Sequence, residues 1–541
     1  MGRHVDTAGA LFNERDVILI TYGDLLREPG RPALQSLFDF YTARLADTIN
    51  TVHILPFYPY SSDDGFSVID YCAVNPVLGG WEDIERFIEA GGRLMFDAVI
   101  NHISARSEWF RGFVNGDPRY ADYFITVDPT VDLSGVTRPR ALPLLTPVET
   151  ARGIEHVWTT FSADQIDLNY HSPDVLLDII DVLLFYIERG ASLIRLDAIA
   201  FLWKEIGTSC IHLPQTHTII QLLRAIIDEV APGVLLVTET NVPHDENISY
   251  FGDGHNEAHM VYNFSLPPLA AHALLTGSAS YLTAWAAGLR APSDQTTFFN
   301  FTASHDGVGV RPATGILPEA DLNLLLTHAT AHGGRVSSKA NPDGSTSPYE
   351  LNITYFDLLN DPAAEEPQDV QVRRFLVSQA IMLALAGVPG IYLHSLLGSR
   401  NYSAGVAETG HPRTINREKL LLHTVIEALE DTASLRHAVF EGYRGLIRQR
   451  IGQRAFHPNA GQQVLDLNPA VFALLRTTPD GSEAIAALHN VSAEPQTVTL
   501  NLGAQGWPNG SLLRDLLTGR VIRSGEPFKL APYAVMWLRP E

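Results

Sequence analysis

Ala191-Ser192-Leu193-Ile194-Arg195-Leu196-Asp197 is a short apolar run that closes on a cation and an acid. On an extended chain Arg195 and Asp197, two residues apart, project to the same side. Two more stretches follow the same design. Val234–Val237 leads into Thr238-Glu239-Thr240, and Phe298–Ala303 leads into Ser304-His305-Asp306. A fourth lies upstream, where Leu94–Ile100 carries Asp97 and runs into Asn101-His102. A carboxylate at the end of a buried strand is costly unless it is paired or used. Four such ends in one chain therefore point to a shared polar site along one rim of a sheet.

Working outward, eight strand-like segments precede residue 400: Val17–Gly23, Thr51–Phe57, Arg93–Asn101, Ala191–Ala200, Gly233–Thr240, His259–Phe264, Thr296–Ser304 and Gly387–Ser395. Helical spacing separates most of them. Pro173–Ile187 has apolar residues every three to four positions after a Ser172 cap, and His217–Val230 and Val370–Leu385 read the same way. Strands alternating with helices eight times predict an α/β fold, a (β/α)8 TIM barrel with its active site at the C-terminal strand ends. The acids sit at those ends.

Two intervals exceed ordinary βα loops: His102–Tyr170, and Gly307–Glu366, which is rich in Gly, Pro, Ser and Asn. Loops of that length carry function or form small domains. Beyond about Phe440 the pattern changes to short β-like runs such as Val471–Arg476, Glu483–Leu488 and Thr497–Leu502, predicting a C-terminal β-sandwich. The expected division is a barrel in three parts (1–101, 171–306, 367–439), insertions at 102–170 and 307–366, and a sandwich at 440–541.

With 541 residues the chain is too long for one compact core. Its 61 acidic against 38 basic residues leave a formal charge of −23, which argues against nucleic-acid and anionic-membrane partners. An anionic substrate would need a local basic pocket. Cys72 and Cys210 are the only cysteines, too few for a disulfide framework or a zinc cluster. The polar stretch Met1–Asp16 has no apolar signal core and no run reaches transmembrane length, so a cytoplasmic location is expected.

Chemistry at a sugar's anomeric carbon needs one carboxylate to attack and another to give and take a proton. A third acid can steady an oxocarbenium-like transition state. The four motifs resemble the four sequence regions of the α-amylase family, glycoside hydrolase family 13, across about Val17 to Asn416. That resemblance implies a B insertion at 102–170. It makes Asp197 the nucleophile, Glu239 the acid/base and Asp306 the transition-state stabiliser. Arg195 would hold Asp197 ionised through a charge-assisted bond. His102 and His305 would bind glucose hydroxyls in the −1 subsite, with Phe66 and Phe161 among the substrate-binding residues.

Ile20–Asp24, Val52–Phe57, Gly207–Cys210, His305–Gly309 and Thr414–Arg417 resemble the sucrose-phosphorylase branch of that family. The branch implies a second insertion, B′, at 307–366, and a clamp on the glucose O4 edge by Asp63 and Arg417. For phosphate it points to Arg138 and Arg140 in Thr137-Arg138-Pro139-Arg140, and to Tyr349. Asn101 matches a calcium ligand of many amylases, but this branch does without that calcium, so neither metal nor cofactor is expected. The implied partners are a small-molecule glucoside and inorganic phosphate, for a monomer or homodimer.

The acceptor side departs from sucrose phosphorylase. Asn241 replaces a histidine two residues after the acid/base, Phe201 a tyrosine, Glu350 a glutamine and Arg311 an aliphatic residue. Arg311 and Lys339 add positive charge, which suits an acceptor bearing carboxylate or phosphate. Ser337–Phe356 and Thr238–His244 look most like the glucosylglycerate phosphorylases of the branch. The expected reaction converts 2-O-α-D-glucosyl-D-glycerate and phosphate to α-D-glucose 1-phosphate and D-glycerate. Sucrose 6′-phosphate phosphorolysis, sucrose phosphorolysis, and retaining hydrolysis or transglycosylation are the alternatives.

Overall fold

The computed structural model describes residues 11–341 and 343–541. Most of the polar N-terminal stretch, Met1–Ala10, lies outside the described residues, as does Pro342 of the second insertion. Eight parallel strands close into a barrel: β1 Ile18–Thr21, β2 Thr51–Ile54, β3 Arg93–Ala98, β4 Ala191–Leu196, β5 Leu235–Thr238, β6 Met260–Tyr262, β7 Thr297–Asn300 and β8 Val388–Tyr392. They follow one another in chain order, and β8 returns to pair with β1. Every strand residue except Arg93 and Ser192 is buried. That explains the continuous apolar runs: side chains on one strand face meet the helices and those on the other fill the barrel.

Register does the positioning. Asp97 of β3 stands opposite Arg195 of β4, and Arg195 stands opposite Val237 of β5. Residues just past those pairs, Asp197 and Glu239, therefore reach the same rim. Between strands, the helix Pro173–Glu188 buries Val175, Ile179, Val182, Leu183 and Tyr186 on one stripe. Ser172 is its N-cap residue, but its hydroxyl makes no cap bond; Pro173, at the first helical position, needs no amide partner there.

The insertion after β3 is built from two antiparallel pairs, His102–Ser104 with Gln165–Asp167 and Leu145–Thr150 with Gly153–Trp158. After β7 the chain forms a helix, Glu319–Ala331, and a three-stranded sheet in which Thr346–Asn352 lies between Val308–Gly309 and Arg335–Ala340. Position 440 falls inside a helix, Leu435–Ile451, rather than between domains. Val439, Phe440 and Tyr443 of that helix belong to the barrel core, so the C-terminal sheets begin only at Gly461. There a six-stranded sheet and a two-stranded one (Gln496–Thr499, Pro527–Leu530) enclose a second core. On the strand Val471–Thr477 the alternation is visible: Val471, Ala473 and Leu475 face this second core, whereas Phe472 and Leu474 join the barrel core. No helix among the described residues is long and apolar enough to cross a membrane.

Candidate active site

At the C-terminal rim a fully buried chain of charges runs inward to outward. His53 lies 2.6 Å from Asp97, Asp97 also receives Arg195, and Arg195 Nη1 lies 2.9 Å from Asp197. Although burial opposes it, the Arg195 guanidinium and His53 hold Asp97 well below the usual carboxylate range. Arg195 Nη2 stands 3.9 Å from Glu239. The residue after Asp197, Ala198, has φ +49°, a left-handed conformation that a side chain resists, and its amide donates to Glu239 Oε2 at 3.1 Å. The turn that ends β4 thus brings Asp197 and Glu239 together.

Burial raises both carboxyls above their ordinary range, Glu239 raises Asp197 further, and Arg195 opposes both effects. Two neighbouring acids in such a place hold a proton between them. Arg195 is nearer Asp197, at 2.9 Å against 3.9 Å for Glu239, so of the two acids Asp197 has the closer cation. Asp306 behaves in the opposite way. Burial again pushes it up, but the guanidinium groups of Arg413, Arg417 and Arg195 hold it far below a free carboxylate. Burial pushes His305 down to about 3, leaving it neutral, and its ring stacks on Phe66 with centroids 4.9 Å apart.

Asp197, Glu239 and Asp306 open into one pocket, whose walls include Asp63, Phe66, His102, Phe161 and His305. His102 donates from Nε2 to the Phe66 carbonyl at 2.8 Å, which fixes its ring. Asp63 and Asp64 both have positive φ, +52° and +50°. Asp63 turns into the pocket and Asp64 turns to Arg417, at 2.6 Å. Arg417 donates to the His305 carbonyl at 2.8 Å and pairs with Asp64 rather than Asp63. At Asn101, the match to the amylase calcium ligand, the neighbouring cation belongs to the chain. Lys204 Nζ lies 2.8 Å from Asn101 Oδ1 and 2.7 Å from Asp167 Oδ2.

The acceptor side divides in two. Arg140, Asn241, Arg311 and Tyr349 line the pocket. Arg138, Lys339 and Glu350 do not. Arg138 donates to the Leu142 carbonyl, Lys339 reaches Asn341 at 3.0 Å, and Glu350 is buried against Arg413. Arg140 is 3.9 Å from Asp63, and Arg311 is 3.4 Å from Glu246. Gly309 passes so near Asn241 that a Cβ there would stand 2.6 Å from Asn241 Oδ1. Among the described residues that oxygen has no hydrogen-bond partner. Among the wall residues that sequence reading did not assign to the site are Gln165 and Arg413. Arg413 was within reach, being the residue directly before Thr414–Arg417; Gln165 lies in an insertion with no motif of its own.

The catalytic-domain model of the α-amylase family matches residues 45–306. A glucosylglycerate phosphorylase of Spirochaeta thermophila is 51% identical, over 97% of this chain and 90% of its own. One from Allomeiothermus silvanus is 50% identical, over 97% and 91%. The chain belongs to the α-amylase family, on its sucrose-phosphorylase branch. Within that family, the crystal structure of the sucrose 6F-phosphate phosphorylase from Thermoanaerobacter thermosaccharolyticum superposes with a TM-score of 0.78 at 24% identity, covering 98% of this chain and all of that one, so the two share a fold. The barrel is thus that of an α-amylase-family enzyme.

Proposed function

We propose that this protein is a retaining phosphorylase that cleaves 2-O-α-D-glucosyl-D-glycerate with phosphate, releasing α-D-glucose 1-phosphate and D-glycerate. One observation carries the reading: a pocket that gathers Asp197, Glu239 and Asp306 at its floor also presents Arg140 and Arg311 at its wall, in a chain of net charge −23. Two anions, a carboxylate and a phosphate, must be received beside the same anomeric carbon. The near full-length similarity to glucosylglycerate phosphorylases supports the same choice of acceptor.

The chemistry follows from the charges. Asp197, kept ionised by Arg195, attacks the anomeric carbon, and Glu239 gives its proton to the departing glycerate oxygen. The products of this step are D-glycerate and a β-glucosyl ester. Phosphate then attacks from the vacated side while Glu239 takes back a proton, and the second inversion restores the α configuration. Asp306, ionised at every working pH, faces the positive charge that develops on the ring. Asp63, His102 and His305 offer hydrogen bonds to glucose hydroxyls, and Phe66 and Phe161 supply apolar walls. In the acceptor role, Arg311 pairs with the glycerate carboxylate and Asn241 Oδ1 accepts from a glycerate hydroxyl. Arg140 and Tyr349 receive phosphate, whose local concentration a cationic wall raises over that of an uncharged nucleophile.

The test is phosphate release from α-D-glucose 1-phosphate with D-glycerate, L-glycerate, fructose, fructose 6-phosphate, glycerol or no acceptor. Strong dependence on D-glycerate is expected. Preference for fructose 6-phosphate or fructose would overturn the acceptor assignment, and release without acceptor would overturn phosphorolysis itself.

A further inference from the structure

Arg413 sits on the short turn Pro412–Asn416 and ties together two acids from different elements. Its Nη1 lies 2.7 Å from Asp306 Oδ1. Its Nε and Nη2 donate to the two oxygens of Glu350 at 3.0 and 2.7 Å, a two-pronged pair of the kind that fixes orientation as well as charge. The Glu350 side chain is 1% exposed, so its charge depends on that pairing.

Glu350 belongs to the loop strand Thr346–Asn352, which is stitched to the segment just past Asp306. Leu351 and Glu350 pair with Val308 and Gly309, and the Tyr349 carbonyl accepts from the Val310 amide at 3.1 Å. The two backbones touch at Gly307, where a Cβ would stand 2.4 Å from the Leu351 carbonyl and 2.5 Å from Glu350 Cγ. The strand that brings Tyr349 to the pocket therefore cannot shift without moving the turn that carries Asp306.

We infer that Arg413 is a positioning residue that holds Asp306 ionised and aimed and, through Glu350, fixes the acceptor-loop strand against it. Loop placement and charge at the reacting end then form one unit. The replacement of the branch's glutamine by Glu350 gives that unit its second charge. Other charged and titratable groups near Asp306 are His305 and Arg417, both at 3.5 Å, with Arg195, Glu239, Asp197, Asp63, Tyr22 and Tyr392 beyond. Of the cations, Arg413 is the nearest.

The inference rests on the glucosyl-transfer reading above, and the wild-type enzyme separates the two. Glycerate-dependent phosphate release is measured for wild type, Arg413→Ala, Arg413→Lys and Glu350→Gln, as kcat and KM across the pH profile. Arg413→Ala should lower kcat by about a hundredfold or more and move the acid limb to higher pH, as buried Asp306 loses its nearest cation. Arg413→Lys keeps a point charge near Asp306, so the acid limb should return toward wild type. Without the fork to Glu350, its KM for D-glycerate should rise about tenfold. Glu350→Gln should raise that KM with the acid limb unmoved. Lys and Ala variants that lose activity equally, with the acid limb in place, would make Arg413 merely structural and overturn the inference. The milder Arg413→Lys and Glu350→Gln variants decide the matter should the alanine variant not fold. A wild type that releases no phosphate with any acceptor would remove the reading beneath it, and this inference with it.

Discussion

The two ends of the pocket are built differently. At the floor, Asp197, Glu239 and Asp306 stand at strand ends, and Arg195 is locked by strand register opposite Asp97. Its contacts are short and buried, with Asp197 at 2.9 Å. At the wall, Arg140 and Arg311 come from loops and meet their carboxylates at 3.9 and 3.4 Å, with side chains 31% and 22% exposed. Charges fixed in a dry floor need no reorganisation during reaction. Loosely held cations on loops are free to exchange a protein carboxylate for a substrate anion. On the function proposed above, the difference teaches that reaction type rests with rigid strand ends and anion selection with cations on loops.

The largest effect should come from the floor. Asp197→Ala is expected to reduce glucosyl transfer by more than about ten-thousandfold while circular dichroism and melting stay native. Appreciable phosphorolysis by that variant would break the comparison at its root. Glu239→Gln should lower kcat by about a hundredfold to ten-thousandfold. Its stability carries a sign. Because the folded Glu239 carboxyl lies above its unfolded value, the wild type loses stability as pH rises from about 4.3 through the folded value. The glutamine variant should therefore melt at or above wild type in alkali and converge with it in acid. A glutamine variant less stable than wild type at alkaline pH would mean that Glu239 is ionised at rest.

At the wall, effects should be smaller and selective. Arg311→Ala should raise the KM for D-glycerate by about tenfold to a hundredfold and that for α-D-glucose 1-phosphate much less, the worth of one charge-assisted contact. Equal changes in both would place Arg311 with phosphate or with structure. Arg138→Ala, whose guanidinium turns to the Leu142 carbonyl, should change either constant by no more than about twofold. A larger change specific to phosphate would show that this arginine swings into the pocket during turnover.

Much of the fold was legible because its signals are local. The barrel strands are largely apolar and four of them run into short polar motifs, so Arg195, Asp197, Glu239 and Asp306 could be read where they stand. Boundaries were less legible. The division at 440 failed because Leu435–Ile451, a helix of the barrel core, runs through it, and the sheets start at Gly461. In the insertions, residue type told which charges were available but not which way they point. Arg138 and Arg140 are two positions apart in one segment, yet only Arg140 lines the pocket. Asp63 and Asp64 are adjacent, yet Arg417 takes Asp64.

By itself the sequence determined the barrel, the family and the strand-end carboxylates proposed as catalytic, since apolar periodicity and strand-end chemistry operate over a few residues and repeat. Tertiary structure alone decided the partners. Arg413 meets Glu350 across 63 positions and Arg417 meets Asp64 across 353, and Lys204 supplies the ammonium at Asn101. Each of these is a long-range polar pairing of a basic side chain that is mostly withdrawn from water. Its cost and its compensation depend on where two loops happen to pass, which no local pattern encodes.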